Sequence, residues 1–226
     1  MKKLLLCLTL FCGLISFSGC ACNKDKNELP KPQLDTSYMG QQFGLDKNIN
    51  IETLDNYLFR NDVVYRDMRM LYDPATYGNL EGGDQYLSGF VKGFEVVPYP
   101  YLAPVEGLPP EVTNAYNGVT LFSHINDEYV ANYEESMAIL EYLFPKDKAI
   151  FLMCGGGGYA GATRAMLIEL GWDANKLYNV GGYWYYTGTN NVSVKRTLAN
   201  NEVKYDFYKV SYHDIDFDNL TLKTGE

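Results

Sequence analysis

The feature that most constrains the fold is an unbroken apolar stretch that leads directly into a cysteine and four glycines. Residues 149–153 read Ala-Ile-Phe-Leu-Met, Cys154 follows, and residues 155–158 are all glycine. A short apolar run without alternation is typical of a central strand in a parallel sheet, because both faces of such a strand are covered. The sequence therefore predicts a buried strand that ends at the cysteine.

Strand and helix patterns alternate along most of the chain. Apolar residues at helical spacing predict helices, and short apolar or alternating runs predict strands. This alternation predicts an α/β fold in which helices flank a mainly parallel central sheet. Residues 101–130 have no clear period and are interpreted as a long surface connection. The predicted strands are 63–67, 94–97, 149–153 and 176–180, with 203–217 as an added hairpin or edge strands, and the predicted helices are 51–58, 133–144 and 160–170.

The glycine run after Cys154 has a chemical consequence. Glycine lets a loop curl tightly, so several backbone N–H groups can converge on the sulfur at the start of the following helix. These donors and the helix dipole favour a negative sulfur, so we expect this thiol to ionise more readily than a free cysteine, whose pKa is about 8.5. The alternative is that Cys154 is a buried, inert cysteine. That alternative does not explain the four successive glycines, which weaken the end of the strand and the start of the helix.

The first 20 residues have the layout of an export signal. Two lysines precede an apolar run at 4–17, and small residues lead to Cys20. The run is shorter than the roughly 20 apolar residues that span a bilayer, which disfavours an uncleaved membrane anchor. Residues 17–20, Phe-Ser-Gly-Cys, resemble the lipobox of bacterial lipoproteins. The resemblance implies that Cys20 is diacylated and holds the exported protein on the extracytoplasmic face of the cell membrane.

Charge and cysteine placement exclude several classes of function. Without residues 1–19 the chain carries 17 basic and 28 acidic residues, a net charge of −11, and it lacks the clustered Lys and Arg that nucleic acid binding needs. Four of the five cysteines lie within the first 22 residues, so a disulfide framework around Cys154 is ruled out. The two histidines, His124 and His213, give no ligand spacing, so neither a metal nor a cofactor is expected.

Composition divides the chain into four parts. Residues 1–19 are the predicted signal peptide, and residues 20–50, rich in Lys, Asp, Asn and Pro, are predicted to be a lipidated tether. Residues 51–186 hold the predicted α/β domain. Residues 187–226 are predicted to be a C-terminal β extension packed on that domain.

Four features of residues 50–186, in the same order along the chain, resemble the rhodanese family. They are Asp67-Met68-Arg69 at the end of the early strand; the segment 89–98, with Phe90 where the family usually has histidine; residues 144–148 before the central strand, with Cys154 after it and Gly171-Trp172 after the helix; and Asn179-Val180-Gly181-Gly182 before an aromatic residue. The resemblance implies a single rhodanese-like sulfurtransferase domain.

The resemblance also implies roles for the residues around the cysteine. Cys154 would attack a sulfane sulfur, hold it as a persulfide and pass it to an acceptor thiol or cyanide, without a cofactor. The loop N–H groups would stabilise the persulfide anion, while Asp67 and Arg69 would brace the loop and the sheet. An enzyme that uses thiosulfate would carry Arg or Lys in the loop, so an uncharged loop favours a polysulfide or a small persulfide as donor. The loop residues are Gly155, Gly156, Gly157, Gly158, Tyr159 and Ala160, with Tyr159 either at the entrance or packed in the core.

Three other functions fit parts of the pattern. A phosphatase of related fold needs an arginine at the position of Ala160, and Arg164 lies a full turn further along the helix. Residues 156–161 match the glycine spacing of a dinucleotide-binding loop, but Asn179 stands where a ribose-binding acid is needed. The third is a catalytically inactive binding or redox-sensing lipoprotein with the same fold, which is compatible with the uncharged loop and with Phe90.

Overall fold

The computed structural model describes residues 28–35, 44–69, 89–105, 116 and 118–223. The predicted signal peptide, the lipidation site Cys20 and parts of the predicted tether lie outside these residues. No helix within the described ranges is long and apolar enough to cross a membrane. The strands are β1 (Leu34–Asp35), β2 (Leu45–Asp46), β3 (Val63–Asp67), β4 (Gly89–Val91), β5 (Glu95–Val96), β6 (Phe122–Ile125), β7 (Glu128–Ala131), β8 (Ala149–Cys154), β9 (Leu177–Gly182), β10 (Asn191–Ser193), β11 (Lys195–Thr197) and β12 (Val203–Tyr205), and the helices are α1 (Tyr99–Leu102), α2 (Ser136–Leu143) and α3 (Gly158–Glu169).

The central sheet consists of four parallel strands in the order β5, β3, β8, β9. β8 pairs with β3 on one side and with β9 on the other, and its last residue, Cys154, lies opposite Gly182. The side chains from Ile150 to Met153 are completely buried. These observations confirm an α/β fold with a parallel central sheet and confirm β8 as a central strand.

Alternate side chains of β8 enter two separate hydrophobic clusters. Ile150, Leu152 and Cys154 belong to a cluster that also contains apolar side chains of α2 and α3. Phe151 and Met153 belong to a second cluster, with residues of the turns that precede β3. This follows from the two-residue period of a strand, and burial of each large apolar side chain contributes roughly 2 kcal/mol. The cysteine therefore lies on the face of the sheet that the helices cover.

The other predicted elements around the sheet are confirmed within a few residues. β3 has the predicted bounds, the strand predicted at 94–97 is reduced to β5, and the strand predicted at 176–180 is extended to β9. The helices predicted at 133–144 and 160–170 correspond to α2 and α3. The apolar side chains of both helices pack on the sheet, so their helical spacing in the sequence was enough to predict the two helices.

The prediction of a helix at 51–58 is wrong. These residues form turns around a single 3-10 turn at Leu54–Asn56. Polar side chains compete with helical bonding here: the Asn50 N–H donates to Thr53 Oγ1 at 3.1 Å, and Thr53 Oγ1 donates to the Asn48 carbonyl at 2.9 Å. The apolar residues that suggested a helix are buried in the second cluster.

The interpretation of 101–130 as a surface connection is wrong for its described part. β6 and β7 form an antiparallel hairpin there, and Leu121 and Phe122 are completely buried. The turn of the hairpin is made by Asn126 and Asp127, which both have positive φ angles. Asn and Asp tolerate this conformation better than other residues with a side chain. The Asn-Asp pair was therefore the sequence signal that could have predicted the hairpin turn.

The described residues after position 187 contact the fold at several places. β10 pairs with β4, and β11 pairs with β12, both antiparallel. The Val96 N–H donates to the Ser211 carbonyl at 2.7 Å, and the Val96 carbonyl accepts from the His213 N–H at 2.8 Å. This segment therefore lies along the free edge of β5 and covers backbone groups that would otherwise face solvent.

Candidate active site

Cys154 lies where β8 meets a tight glycine loop. The loop ends at Gly157, which caps α3 with a φ of +96°, a conformation that residues with side chains rarely adopt. Cys154 is buried, with 2% of the residue's surface exposed. The N–H of Gly157 donates to Cys154 Sγ at 3.0 Å. The sulfur therefore has a backbone donor at the N-terminal end of a 12-residue helix.

The loop is pressed against the end of β9 at two glycines. A Cβ atom at position 182 would lie 2.1 Å from the carbonyl oxygen of Gly155 and 2.6 Å from Cα of Gly156. These are backbone atoms, so they cannot rotate away as a flexible side chain would. Gly182 is therefore required by the close approach of two backbones, and it defines one wall of the cysteine loop.

Asn179 connects the loop to two other segments. Its side chain is completely buried, and its Nδ2 donates to the carbonyls of Gly157 at 3.1 Å and of Gly44 at 2.8 Å. Its Oδ1 accepts from the Gly181 N–H at 3.1 Å, at a point where the register of β8 and β9 shifts. One amide side chain thus holds the loop residue that donates to Sγ.

Asp67 and Arg69, predicted to brace the loop, form a completely buried ion pair. Arg69 Nη2 lies 2.5 Å from Asp67 Oδ2 and also donates to the Gly89 carbonyl at 3.0 Å. The guanidinium lies 4.3 Å from the centre of the Tyr183 ring. Because Asp67 pairs with Met153, the residue before the cysteine, the ion pair is anchored next to the loop.

Tyr159 and Ala160 of the predicted loop lie in the first turn of α3 and are buried. The Tyr159 ring stacks on Tyr99 with 5.3 Å between centroids. Burial, and then the neighbouring Tyr129, raise the pKa of Tyr99 well above its usual value, so this phenol stays protonated. Of the two roles considered for Tyr159, the geometry favours core packing.

The structure places the other candidate residues away from Cys154. Arg164 donates from Nε to the carbonyl of Leu177 at the opposite end of β9, at 3.0 Å, so it does not occupy the position of a phosphate-binding arginine. His213 Nε2 lies 2.9 Å from a Glu95 carboxylate oxygen, and the His124 ring is tilted against Tyr129 with 4.7 Å between centroids. Within the described ranges, no group of three His, Cys, Asp or Glu side chains is arranged to hold a metal ion.

Three residues at the end of β9 and just after it were missed as site residues: Asn179, Gly182 and Trp184. Trp184 donates its backbone N–H to the Gly155 carbonyl at 3.2 Å, and its indole lies against the loop. Their position near the carboxyl end of a predicted parallel strand could have identified them, since the carboxyl ends of neighbouring parallel strands meet at one edge of the sheet.

Comparison of the chain with models of known protein families, with curated proteins and with solved structures finds no match. The geometry of the loop therefore carries the functional argument.

Proposed function

We propose that the protein is a rhodanese-like sulfurtransferase that carries sulfane sulfur as a persulfide on Cys154. The observation that carries this proposal is the hydrogen bond from the Gly157 N–H to Cys154 Sγ, at the N-terminus of α3. A backbone donor and a helix dipole both favour a negative charge on sulfur, whether on the thiolate or on the persulfide. The donor needs no reorganisation during the reaction, which is the principle of an oxyanion hole.

The proposed reaction has two steps of nucleophilic substitution at sulfur. First, the Cys154 thiolate attacks the outer sulfur of a donor RS–SH, a new S–S bond forms, the donor S–S bond breaks, and the donor leaves as RS⁻. Second, an acceptor thiolate R′S⁻ attacks the outer sulfur of the persulfide, forms R′S–SH and releases the Cys154 thiolate. Both steps conserve electrons, so no cofactor is required.

The charges around the loop support a donor of low charge. Residues 155–161 include no charged side chain. The guanidinium of Arg69 is already neutralised by Asp67 in a completely buried pair. A dianion such as thiosulfate would thus have to give up its hydration without a cation from this loop to replace it, which is costly. A small persulfide or polysulfide meets a smaller penalty, with a thiol or cyanide as acceptor.

We also propose that the protein works on the extracytoplasmic face of the cell membrane, held by a lipid on Cys20. Support comes from the signal-like residues 1–19 and the lipobox-like residues 17–20. Labelling with a fatty acid probe in the bacterial membrane tests this, with Cys20→Ala as the comparison. Label and membrane association that persist in this variant would contradict the assignment.

The test of sulfur transfer uses the full-length chain and an alkyl hydropersulfide. After alkylation and trypsin cleavage, residues 149–164 form one peptide in which Cys154 is the only cysteine. We expect one added sulfur on this peptide, removed by a thiol before alkylation. Cys154→Ser provides the control, and each acceptor molecule that gains sulfur should match one discharged peptide.

The burial of Cys154 favours a second candidate, an inactive binding or redox-sensing protein of the same fold. With 2% of the residue's surface exposed, the thiol could be a structural residue. The rate of alkylation measured across pH discriminates the two. A Cys154 that takes up no sulfur and reacts slowly at all pH values would support the inactive protein.

A further inference from the structure

The indole of Trp184 lies directly against the two residues that follow the cysteine. The atoms nearest to a Cβ built on Gly155 are all from this ring, at 2.5 to 3.0 Å, and two further ring atoms lie 3.3 and 3.6 Å from a Cβ built on Gly156. The Trp184 backbone N–H donates to the Gly155 carbonyl at 3.2 Å. The residue therefore contacts the loop through both its ring and its backbone.

Trp184 is also partly open to solvent, although Cys154 beside it is not. The tryptophan is 37% exposed and the cysteine 2% exposed. The indole therefore lies between the glycine loop and solvent.

The segments that carry the loop and the indole have no charge of their own, since residues 154–161 and 177–186 include no Asp, Glu, Lys or Arg. Arg69 is bound to Asp67 and to the Gly89 carbonyl. An anion that approaches Sγ along an indole surface loses hydration and gains no cation from these two segments in exchange. An uncharged reagent loses less and also gains contact with the ring.

We propose that Trp184 is a specificity-determining residue, whose indole forms the apolar wall of the entrance to Cys154 and admits uncharged reagents ahead of anionic ones. Applied to sulfur donors, which rests on the proposed function, this assigns alkyl hydropersulfides in their neutral RS–SH form as the preferred class over the thiosulfate dianion.

A pair of alkylating reagents that differ in charge tests the wall without any sulfur chemistry. Iodoacetamide is neutral and iodoacetate is an anion, and both react with the same thiolate. The ratio of their rate constants therefore cancels the thiolate fraction and reports only access and charge. The rates are measured on the 149–164 peptide of the full-length chain, folded and unfolded in urea.

We expect the folded chain to prefer iodoacetamide by about tenfold more than the unfolded chain does. Trp184→Ala should bring this ratio to within about twofold of the unfolded value, because water and anions then reach the loop. The matched control is Tyr185→Ala, which removes a neighbouring aromatic residue that is 40% exposed and should leave the ratio unchanged. Trp184→Lys, whose stem can still cover the glycines, should reverse the preference toward iodoacetate.

The outcomes separate this proposal from sulfur transfer itself. Equal ratios in the folded and unfolded chain, or a ratio that Trp184→Ala and Trp184→Lys both leave unchanged, would overturn the role of Trp184 even if Cys154 takes up sulfur. A shift of equal size in Tyr185→Ala would overturn it as well. If the charge preference depends on Trp184 but Cys154 accepts no sulfur from an alkyl hydropersulfide, the role of Trp184 stands and the proposed sulfurtransferase activity is refuted.

Discussion

The two ends of the central sheet differ in the charge and the solvent exposure of the side chains around them. At the carboxyl end the cysteine loop is uncharged, and the nearby Asp67 and Arg69 are completely buried and paired with each other. At the amino end a cavity of about 500 Å³ is lined largely by charged side chains, among them Arg60, Asp62 and Lys176. The carboxyl end thus has backbone hydrogen-bond donors that are shielded from water, and the amino end has hydrated charged side chains.

This difference explains why chemistry is expected at only one end. Three of the amino-end charges have partners: Arg60 pairs with Asp62 at 2.6 Å, and Lys176 Nζ donates to the Lys146 carbonyl at 3.0 Å. Water screens them, so each pair has a small effect. At the carboxyl end, exclusion of water strengthens the Gly157 donor on Cys154 Sγ. Substitutions at each end therefore test burial as the cause.

Arg69→Met should have the largest effect on stability. It leaves the Asp67 carboxylate buried without its partner and the Gly89 carbonyl without a donor. We expect a loss of about 4 kcal/mol in the free energy of unfolding, measured by urea denaturation. Asp67→Asn combined with Arg69→Met should recover part of the loss, because the unpaired charge is then removed. A loss below about 1 kcal/mol would show that the pair is solvated like those at the amino end.

Gly182→Ala should come next, because it forces two backbones apart. The new methyl would meet the Gly155 carbonyl and Gly156 Cα, at 2.1 and 2.6 Å. We expect about 3 kcal/mol of destabilisation and a faster alkylation of Cys154 as the loop opens. Gly156→Ala is the matched control: its methyl meets only the Trp184 ring at 3.3 Å, so a small shift of that side chain suffices. Equal effects of the two substitutions would contradict the close approach.

The cysteine and its loop could be predicted from the sequence because the information there is local. The apolar run, Cys154 and residues 155–158 are contiguous, so a strand, a turn and a helix start can be seen together. Asn179, Gly182 and Trp184 could not be recognised in the same way. Their contribution depends on the register of β9 against β8, including the shift beside Asn179, and register is a property of two distant segments.

Errors in the predicted fold have the same origin. The apolar spacing at 51–58 is correct for a helix, but the side chains of Asn50 and Thr53 form turn hydrogen bonds with nearby backbone groups. The spacing of apolar residues does not contain this information. The burial of Phe122 in β6 likewise depends on a hairpin that packs on the helical face of the sheet. Patterns identified the long elements and missed those specified by individual polar contacts.

Asn179→Leu should have an intermediate effect and a chemical consequence. It removes the donor to the Gly157 and Gly44 carbonyls and leaves the Gly181 N–H without its partner. We expect a loss of about 2 kcal/mol in unfolding free energy, with slower alkylation of Cys154 near neutral pH because Gly157 is no longer held. Asn175→Leu, at an exposed asparagine beside the amino-end cavity, should change neither quantity. Normal alkylation in Asn179→Leu would remove Asn179 from the site.

The smallest effect is expected for the amino-end pair, where Arg60 and Asp62 are 18% and 44% exposed. The hydrogen bond to Asp62 raises the pKa of Arg60, which stays charged throughout the accessible pH range. A double-mutant cycle with Arg60→Gln and Asp62→Asn should give a coupling energy below about 1 kcal/mol, and salt should abolish it. The corresponding cycle for Asp67 and Arg69 should be insensitive to salt, because neither side chain is exposed. If salt weakened both couplings equally, burial would not be the cause of the contrast between the two ends. The conclusion that water is excluded around Cys154 would then lose its main support.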